Sequence, residues 1–600
     1  MSFEDNRESF SQEHFTIIEV DVPVVNGLCT LGGSNGFGTG LTCDQAINGT
    51  KTYKFTNYAG TLPESEIYKC VQSITETPTK LQSGRGLASR GTLSISLSDF
   101  IGDPNIGAAG VTDEIRKNGG YLAKLDARNI LQNREMRVKN YRIVDGVLPN
   151  LSTDAQTRHY LVDSFSSNGG SKFSLTGKDE LSRVDLSEKL YPRPTNGFLR
   201  TNANDTQTTF NVDANTTYSP GDILRISDEL ILVSSVSGIG TGSARITASF
   251  RGQVIDSIHK SDISDHSGGD EIFKCKLFSD ANIDDVLEDI CLSIGINASY
   301  LPLTDWRSEI DTWHNSTVVN SLYVEAQDAN KVISQMLQSY LIDMWFDPIS
   351  RKIKLAAIST WRESVANLRE GIEIDFDTIK RREEDDLRST DALVVYGKSF
   401  KTRDDSIENY KKASLFINPI LSSNVFYGEA KQKRFENNPI IDSDSAELLV
   451  RRYVSRYGIT PQSYSWKTQE NKLNFQTGDV VSILSSAKVN FDGTPNSSTR
   501  AQITSIKPSY SKNGRFYTVN ALTYNPSINE ADGGALIVLT GNLSDVNLYT
   551  EAGGGIPSEI DITFIIDAAK ISGTSTTTPS IRAGSFPAGS KITLILINGA

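Results

Sequence analysis

Phe15-Thr-Ile-Ile-Glu-Val-Asp-Val22 sets the character of this chain. Apolar and polar residues alternate along it with a period of two, the pattern of a half-buried strand. The same alternation returns in Thr52-Tyr-Lys-Phe-Thr56, in Thr92-Leu-Ser-Ile-Ser-Leu97 and over Val138–Val144, each bounded by Gly, Asn or Asp. Such runs predict antiparallel strands joined by turns. Residues 1–197 therefore read as one β-rich domain, ending at Pro192-Arg-Pro194 and Asn196-Gly197. Residues 198–270 are rich in Thr, Asn and Ser and hold short strands such as Gly221-Asp-Ile-Leu-Arg-Ile226 and Glu229-Leu-Ile-Leu-Val233. They predict a small, inserted all-β module.

Helices come next. Ile283, Val286, Leu287, Ile290, Cys291 and Ile294 fall on one face at helical spacing, with Asp284, Asp285, Glu288 and Asp289 opposite. Val332, Ile333, Met336, Leu337, Tyr340 and Leu341 repeat the pattern and lead into Met344-Trp-Phe346, an Asp-Pro-Ile-Ser turn and Lys352-Ile-Lys-Leu355, a helix feeding a hairpin. A third helix is predicted from Asp444, with Glu447 completing a capping box and Gly458 ending it. These place an α+β domain at 271–400 and an α+β or β-barrel domain at 401–527. Residues 528–600 form a Gly/Ser/Thr-rich β domain with strands at 535–539, 560–566 and 592–597; the last, close to Ala600, predicts a continuing chain or a partner strand. The fold class is mainly β with some α (α+β), in several barrel-like or sandwich-like domains.

The 600 residues are 38% hydrophobic and 22% charged, with Gly 46, Pro 19 and His 5, the composition of a folded chain. Formal net charge is −13, which disfavours a nucleic-acid coat. No apolar run reaches the roughly 18 residues of a membrane span, and the polar, acid-bearing N-terminus is unlike a signal peptide. Synthesis and folding in a cytosol are expected, and Asn48-Gly-Thr50 and Asn215-Thr-Thr217 are then accidental glycosylation signals.

Candidate chemistry is sparse. Cys29, Cys43, Cys70, Cys275 and Cys291 contain no CxxC pair. Cys291 lies on an apolar helix face and reads as core. The other four would suit a tetrahedral zinc or a four-iron cluster, with scattered buried thiols as the plainer reading. The Gly-rich loop at 32–40 (GGSNGFGTG) lacks a P-loop ending, and Gly84-Arg-Gly-Leu-Ala-Ser-Arg-Gly91 reads as a hairpin or loop. Glu383-Glu-Asp-Asp386 offers paired carboxylates for glycoside hydrolysis, but Arg381, Arg382 and Arg388 surround it, favouring a solvated or subunit-facing segment. The histidines at 14, 159, 259, 266 and 314 show no HExxH, and no GxSxG occurs. No catalytic residues are assigned.

The order of phrases carries more. The Ile-Glu-Val-Asp-Val-Pro strand leads to Asn-Gly-Leu-Cys29, Leu-Thr-Cys43-Asp, Thr52-Tyr-Lys-Phe55, Tyr68-Lys-Cys-Val-Gln-Ser-Ile74, Gly84-Arg-Gly-Leu-Ala-Ser-Arg90 and Ser98-Asp-Phe100. Then follow Tyr121-Leu-Ala-Lys-Leu125, Gly221-Asp-Ile-Leu-Arg-Ile-Ser-Asp-Glu229, Ser249-Phe-Arg-Gly252, Asp270-Glu-Ile-Phe-Lys-Cys275, Ile283-Asp-Asp-Val-Leu287 and Glu309-Ile-Asp-Thr-Trp313. In this order the chain resembles the tail-tip or baseplate hub proteins of siphophages, in the version that fuses a lambda-like iron–sulfur tail-tip protein to the central hub. The likeness covers roughly 15–400 well and 400–527 more loosely.

The resemblance implies a structural virion protein and not an enzyme: a homotrimeric hub at the distal tip of a long non-contractile tail, made in the host cytoplasm. Its implied partners are the distal tail protein ring, the C-terminus of the tape-measure protein in the lumen, and a distal tail fibre or host receptor. DNA would pass without specific binding, along a lumen where acidic residues repel phosphate. The likeness also singles out Cys29, Cys43, Cys70 and Cys275 as ligands of a [4Fe–4S] cluster, with zinc or no metal as alternatives, although the extra cysteines that relatives carry between the first two are missing here. Two other classes remain open at this stage, a β-rich cell-wall or polysaccharide hydrolase and a host-binding adhesin.

Overall fold

The computed structural model describes residues 12–24, 49–64, 66–100, 120–169, 171–186, 188–213, 218–255, 259–314, 317–359, 362, 364–401, 406–417, 429–436, 439–485, 499–510, 516–523, 535–551, 561–572, 580–586 and 591–596. The fold is mainly β with some helix, divided among several sheets. Strands β1 (Gln12–Val24), β2 (Gly49–Thr56), β3 (Ile67–Tyr68), β4 (Val71–Thr77), β5 (Thr92–Ser98), β6 (Glu135–Val144), β7 (Gln156–Ser167) and β8 (Lys172–Lys178) form one eight-stranded sheet in the order β3-β2-β1-β6-β7-β8-β5-β4. The adjacent Ile17 and Ile18 explain why β1 sits centrally. Their side chains leave opposite faces of the strand. Phe15 and Ile17 pack with Tyr141 and Ile143, while Ile18, Val20 and Val22 join Phe55, Val138 and Ile95. Helix α1 (Tyr121–Arg128) adds Leu122 and Leu125 to that second face, its first turn held by Asp99 Oδ1, which accepts from the Leu122 amide at 2.8 Å.

After the short strand β9 (Leu190–Tyr191) the chain enters a second sheet: β10 (Gly197–Phe198), β11 (Thr209–Asn211), β12 (Ile223–Ile226), β13 (Glu229–Ser237), β14 (Arg245–Phe250) and β15 (Glu271–Ala281), ordered β10-β15-β12-β13-β14-β11. β15 is long enough to serve two units. Its first half closes this module and its second half pairs with β16 (Val319–Tyr323), so the module borrows a strand that lies wholly beyond position 270 and shares it with the next domain.

Helices α2 (Ile283–Ser293), α3 (Leu303–His314) and α4 (Ala329–Ser339) follow, with β17 (Gln327–Asp328) paired to β9 and the hairpin β18 (Ile342–Asp347) and β19 (Lys352–Ala357). The apolar faces read from sequence for α2 and α4 are buried in one large core together with β18 and β19. In α3, Trp306 and Ile310 supply the buried face, and Trp306 Nε1 donates to the Ile353 carbonyl at 2.7 Å.

Strands β20 (Ala366–Arg369) and β21 (Lys380–Glu383) leave this domain to flank a six-stranded sheet. Between them and the rest of that sheet, β22 (Asp391–Lys398), β23 (Tyr410–Ile417) and β24 (Gln432–Phe435) form a three-stranded sheet that runs across position 400, covered by helix α5 (Ser443–Tyr457). The capping box expected at Asp444 is not formed. Asp442 is the N-cap, in extended backbone three residues before Ser445, whose amide it accepts at 2.7 Å; Glu447 instead takes Arg451 one turn along the helix. Gly458 ends the helix without a left-handed residue, its N–H bonding to the Val454 carbonyl. The six-stranded sheet is completed by β25 (Gln462–Gln469), β26 (Val480–Leu484), β27 (Thr499–Pro508) and β28 (Phe516–Thr523), in the order β20-β26-β27-β28-β25-β21. Beyond it β29 (Ala535–Ser544), β31 (Asp561–Ser572) and β33 (Lys591–Leu596) run parallel, beside the short pair β30 (Val546–Asn547) and β32 (Ile581–Arg582).

Candidate functional site

Of the four cysteines singled out, Cys29 and Cys43 lie outside the described residues, as does the loop at 32–40. Cys70, between β3 and β4, is 2% exposed among Val71, Leu97 and Leu122. Burial pushes its thiol up to about 12, and the Asp99 carboxylate adds to the shift. Cys275, on β15 opposite Ile223, packs with Leu230, Val324 and Phe400 and donates weakly to the Val324 carbonyl at 3.9 Å. Burial lifts it to about 12 as well, against a pull downward from Arg225. The two thiols thus occupy different apolar clusters and are protonated there, whereas cluster ligation needs thiolates. Among the described residues no three His, Cys, Asp or Glu side chains converge as a metal site. Ligation by Cys70 and Cys275 would require both thiols to deprotonate.

The carboxylate run at 383–386 is held by cations. Asp385 accepts from Arg388 Nε at 2.7 Å and pairs with Lys431, and these hydrogen bonds hold its carboxyl down at about 2. Glu384 accepts from Ser463 Oγ at 2.6 Å. The His–carboxylate pair with the tightest geometry is sealed: Glu229 is fully buried and accepts from His266 Nε2 at 2.8 Å, Arg251 at 2.7 Å and the Ser264 amide at 3.0 Å. These donors hold its carboxyl near 2 despite burial. It pins the inserted module internally.

The residues that organise the molecule sit instead at its joints. The Gly84–Gly91 segment is a strap from the N-terminal sheet onto α4 and β18. The Ala88 amide donates to the Met344 carbonyl at 3.0 Å, the Met344 amide to Gly86 at 2.8 Å, and Gln338 Nε2 to the Arg85 carbonyl at 3.1 Å. Gly86 requires its residue type. Its φ is +77°, and a Cβ there would stand 2.5 Å from Leu337 Cβ. One buried ion pair clamps the N-terminal sheet to the six-stranded sheet, and a second, internal to the N-terminal sheet, takes a tyrosine from beyond β27. Arg142 meets Glu470, which also accepts from Tyr517 Oη at 3.1 Å, and Arg158 donates to Glu76 at 2.6 Å, with Tyr510 Oη on the other carboxylate oxygen. The hairpin β18–β19 lies between them, the Pro348 carbonyl accepting from the His159 amide at 2.9 Å.

Sequence reasoning missed these pairs because their members stand 82 to 328 positions apart, with no local signature. In the central core Asp343 is 3% exposed and its Oδ1 has no hydrogen-bond partner; burial raises its carboxyl to about 7 although Arg456 and Arg362 pull it down. His314 is driven well below its ordinary value by burial and by Arg452 beside it. No helix among the described residues is long and apolar enough to cross a membrane.

No protein-family model and no curated protein matches the chain. Among solved structures, the 43 kDa tail protein of prophage MuSo2 from Shewanella oneidensis aligns at 8% identity and a TM-score of 0.35, over 75% of this chain and 97% of its own. The tail protein from Neisseria meningitidis MC58 aligns at 8% identity and 0.36, over 76% and 97%. Prophage tail protein gp18 from Listeria monocytogenes EGD-e aligns at 9% identity and 0.30, over 75% and 87%. Likenesses at such TM-scores carry no argument about what this chain does.

Proposed function

We propose that the chain is a structural component of a bacteriophage tail, the baseplate hub at the distal tip of a long non-contractile tail. The observation behind this reading is the ordered set of phrases in the sequence that resembles the siphophage hub family. Several of those phrases occupy joints of the fold: Gly84-Arg-Gly-Leu-Ala-Ser-Arg90 is the strap, Ile283-Asp-Asp-Val-Leu287 starts α2, and Glu309-Ile-Asp-Thr-Trp313 lies in α3. A role made of packing and assembly is also in keeping with carboxylates and histidines committed to ion pairs and cores.

On this reading three copies form a ring docked on the distal tail protein, with the tape-measure C-terminus in the lumen, a fibre or receptor beyond, and DNA passing on ejection without specific contacts. The net charge of −13 supports a lumen that repels phosphate; acids confined to the outer face around a basic lumen would remove that element. The [4Fe–4S] site on Cys29, Cys43, Cys70 and Cys275, or zinc in its place, rests on the resemblance alone. The test is sedimentation of the purified chain with and without the distal tail protein. A trimer that forms a stoichiometric ring complex is expected, and a monodisperse monomer that ignores the ring would overturn the proposal.

A further inference from the structure

Where the inserted module, β16, α4 and the β22–β24 sheet meet, they leave a cavity of about 320 Å3 open to solvent, a size that accommodates a small ligand. Arg225 on β12 forms its inner wall. Val324 and Phe400 supply an apolar side, and Lys331 and Lys398 add positive charge against the acids Glu325 and Asp328.

Arg225 is only 2% exposed. Its Nε donates to the Ser227 carbonyl at 2.7 Å, but its terminal nitrogens reach carboxylates only at 3.5 Å: Glu325, whose side chain is 35% exposed, and Asp228, 65% exposed. A well-formed guanidinium–carboxylate pair lies at roughly 2.7–2.9 Å. The other buried arginine of the same module shows that arrangement. Arg251 holds Glu229 through two nitrogens at 2.9 and 2.7 Å and donates further to the carbonyls of Gln207 and Ser264. One arginine is saturated, whereas the other keeps donor capacity at the wall of a cavity. A buried cation with loose pairing is costly unless a closer anion completes it.

We propose that this cavity is an anion site, in which Arg225 takes a carboxylate or phosphate borne on a small apolar body that lies against Val324 and Phe400. Glu325 competes for the guanidinium and turns to solvent when the ligand enters. Because the walls come from the module and from the main body, the bound anion ties one to the other. The inference does not depend on the tail reading.

Calorimetric titration of the full chain with benzoate, phenyl phosphate and inorganic phosphate tests it, each up to about 10 mM, a range that captures even weak small-ligand affinity. Saturable one-to-one binding of benzoate or phenyl phosphate is expected, and the tighter of the two distinguishes carboxylate from phosphate. Inorganic phosphate binding as tightly as phenyl phosphate would remove the apolar part of the proposal. Arg225→Gln should weaken binding about tenfold or more, the value of one charge-assisted pair. Since that buried substitution can cost folding, Glu325→Gln gives an independent reading: removing the competitor should tighten binding several-fold. No saturable binding by any probe, unchanged affinity in a folded Arg225→Gln, or weaker binding in Glu325→Gln overturns the site.

Discussion

Arg142 on β6 and Glu470, 328 positions later at the end of β25, meet at 3.1 Å in an interface where they are 3% and 8% exposed. Removing one partner strands the other charge away from water, at a cost of about 3–5 kcal/mol. Arg142→Met should therefore destabilise strongly, whereas Arg142→Met with Glu470→Met together should recover much of the loss. Urea unfolding of the wild type, both single variants and the double variant measures the coupling; additive single effects would show that the pair does not clamp the sheets.

The strap makes a second prediction. Gly86→Ala forces a Cβ against Leu337 at a positive φ, and the combined clash and backbone strain should cost about 2 kcal/mol or more. Limited proteolysis should then cut within 83–91 sooner than in the wild type. Gly146→Ala serves as the comparison, since its φ is similar at +75° but no atom lies within 4 Å of the added carbon. Equal effects of the two substitutions would show that strain alone, and not the contact with α4, matters.

Asp343 predicts a pH dependence of definite sign. Folding raises its carboxyl from 3.8 to about 7, so the native state holds a proton that the unfolded chain has released between those values. Stability from this group is complete below about 4 and is lost as pH rises through about 7. Integrated over the shift the loss is on the order of 4 kcal/mol. Asp343→Asn keeps the shape without the ionisation, so its stability relative to wild type should climb from pH 4 to pH 7.5 and then level off. A difference independent of pH in denaturant titrations would remove Asp343 as the cause.

The cysteines give the remaining prediction. If the proposed cluster forms, anaerobically purified protein is brown and carries iron and acid-labile sulfide, which Cys70→Ser abolishes and Cys291→Ser leaves intact. Zinc without sulfide would identify the alternative metal. A colourless, metal-free protein that still assembles would leave Cys70 and Cys275 as the core thiols their burial describes.

Much of the architecture was legible because it is local. The period-two runs at β1, β2, β5 and β6 and the helical faces of α2, α4 and α5 are written in neighbouring residues. Helix α3 was legible in principle from Trp306, Ile310 and His314, whose spacing marks the face it buries. The capping of α5 was misplaced by two residues because two acids, Asp442 and Asp444, both suit an N-cap and only backbone conformation chooses between them. Strand sharing was not legible. Nothing in Glu271–Ala281 signals that its two halves serve different partners, and nothing near Arg225 signals that its carboxylates will stop 3.5 Å away. Such facts arise only when distant segments meet.

The pairing of Gly197–Phe198 with Glu271–Ile272 bears on how this chain can be varied. The inserted module departs and returns at neighbouring points, about 5 Å apart as antiparallel partners are, while β15 keeps its hold on β16 from the other side. The module is therefore spliced in at one place yet not independent of the body: β12 covers Ile272–Cys275 and Leu230 packs with Val324 and Phe400, so any insert grafted between the two points must supply a strand in the place of β12.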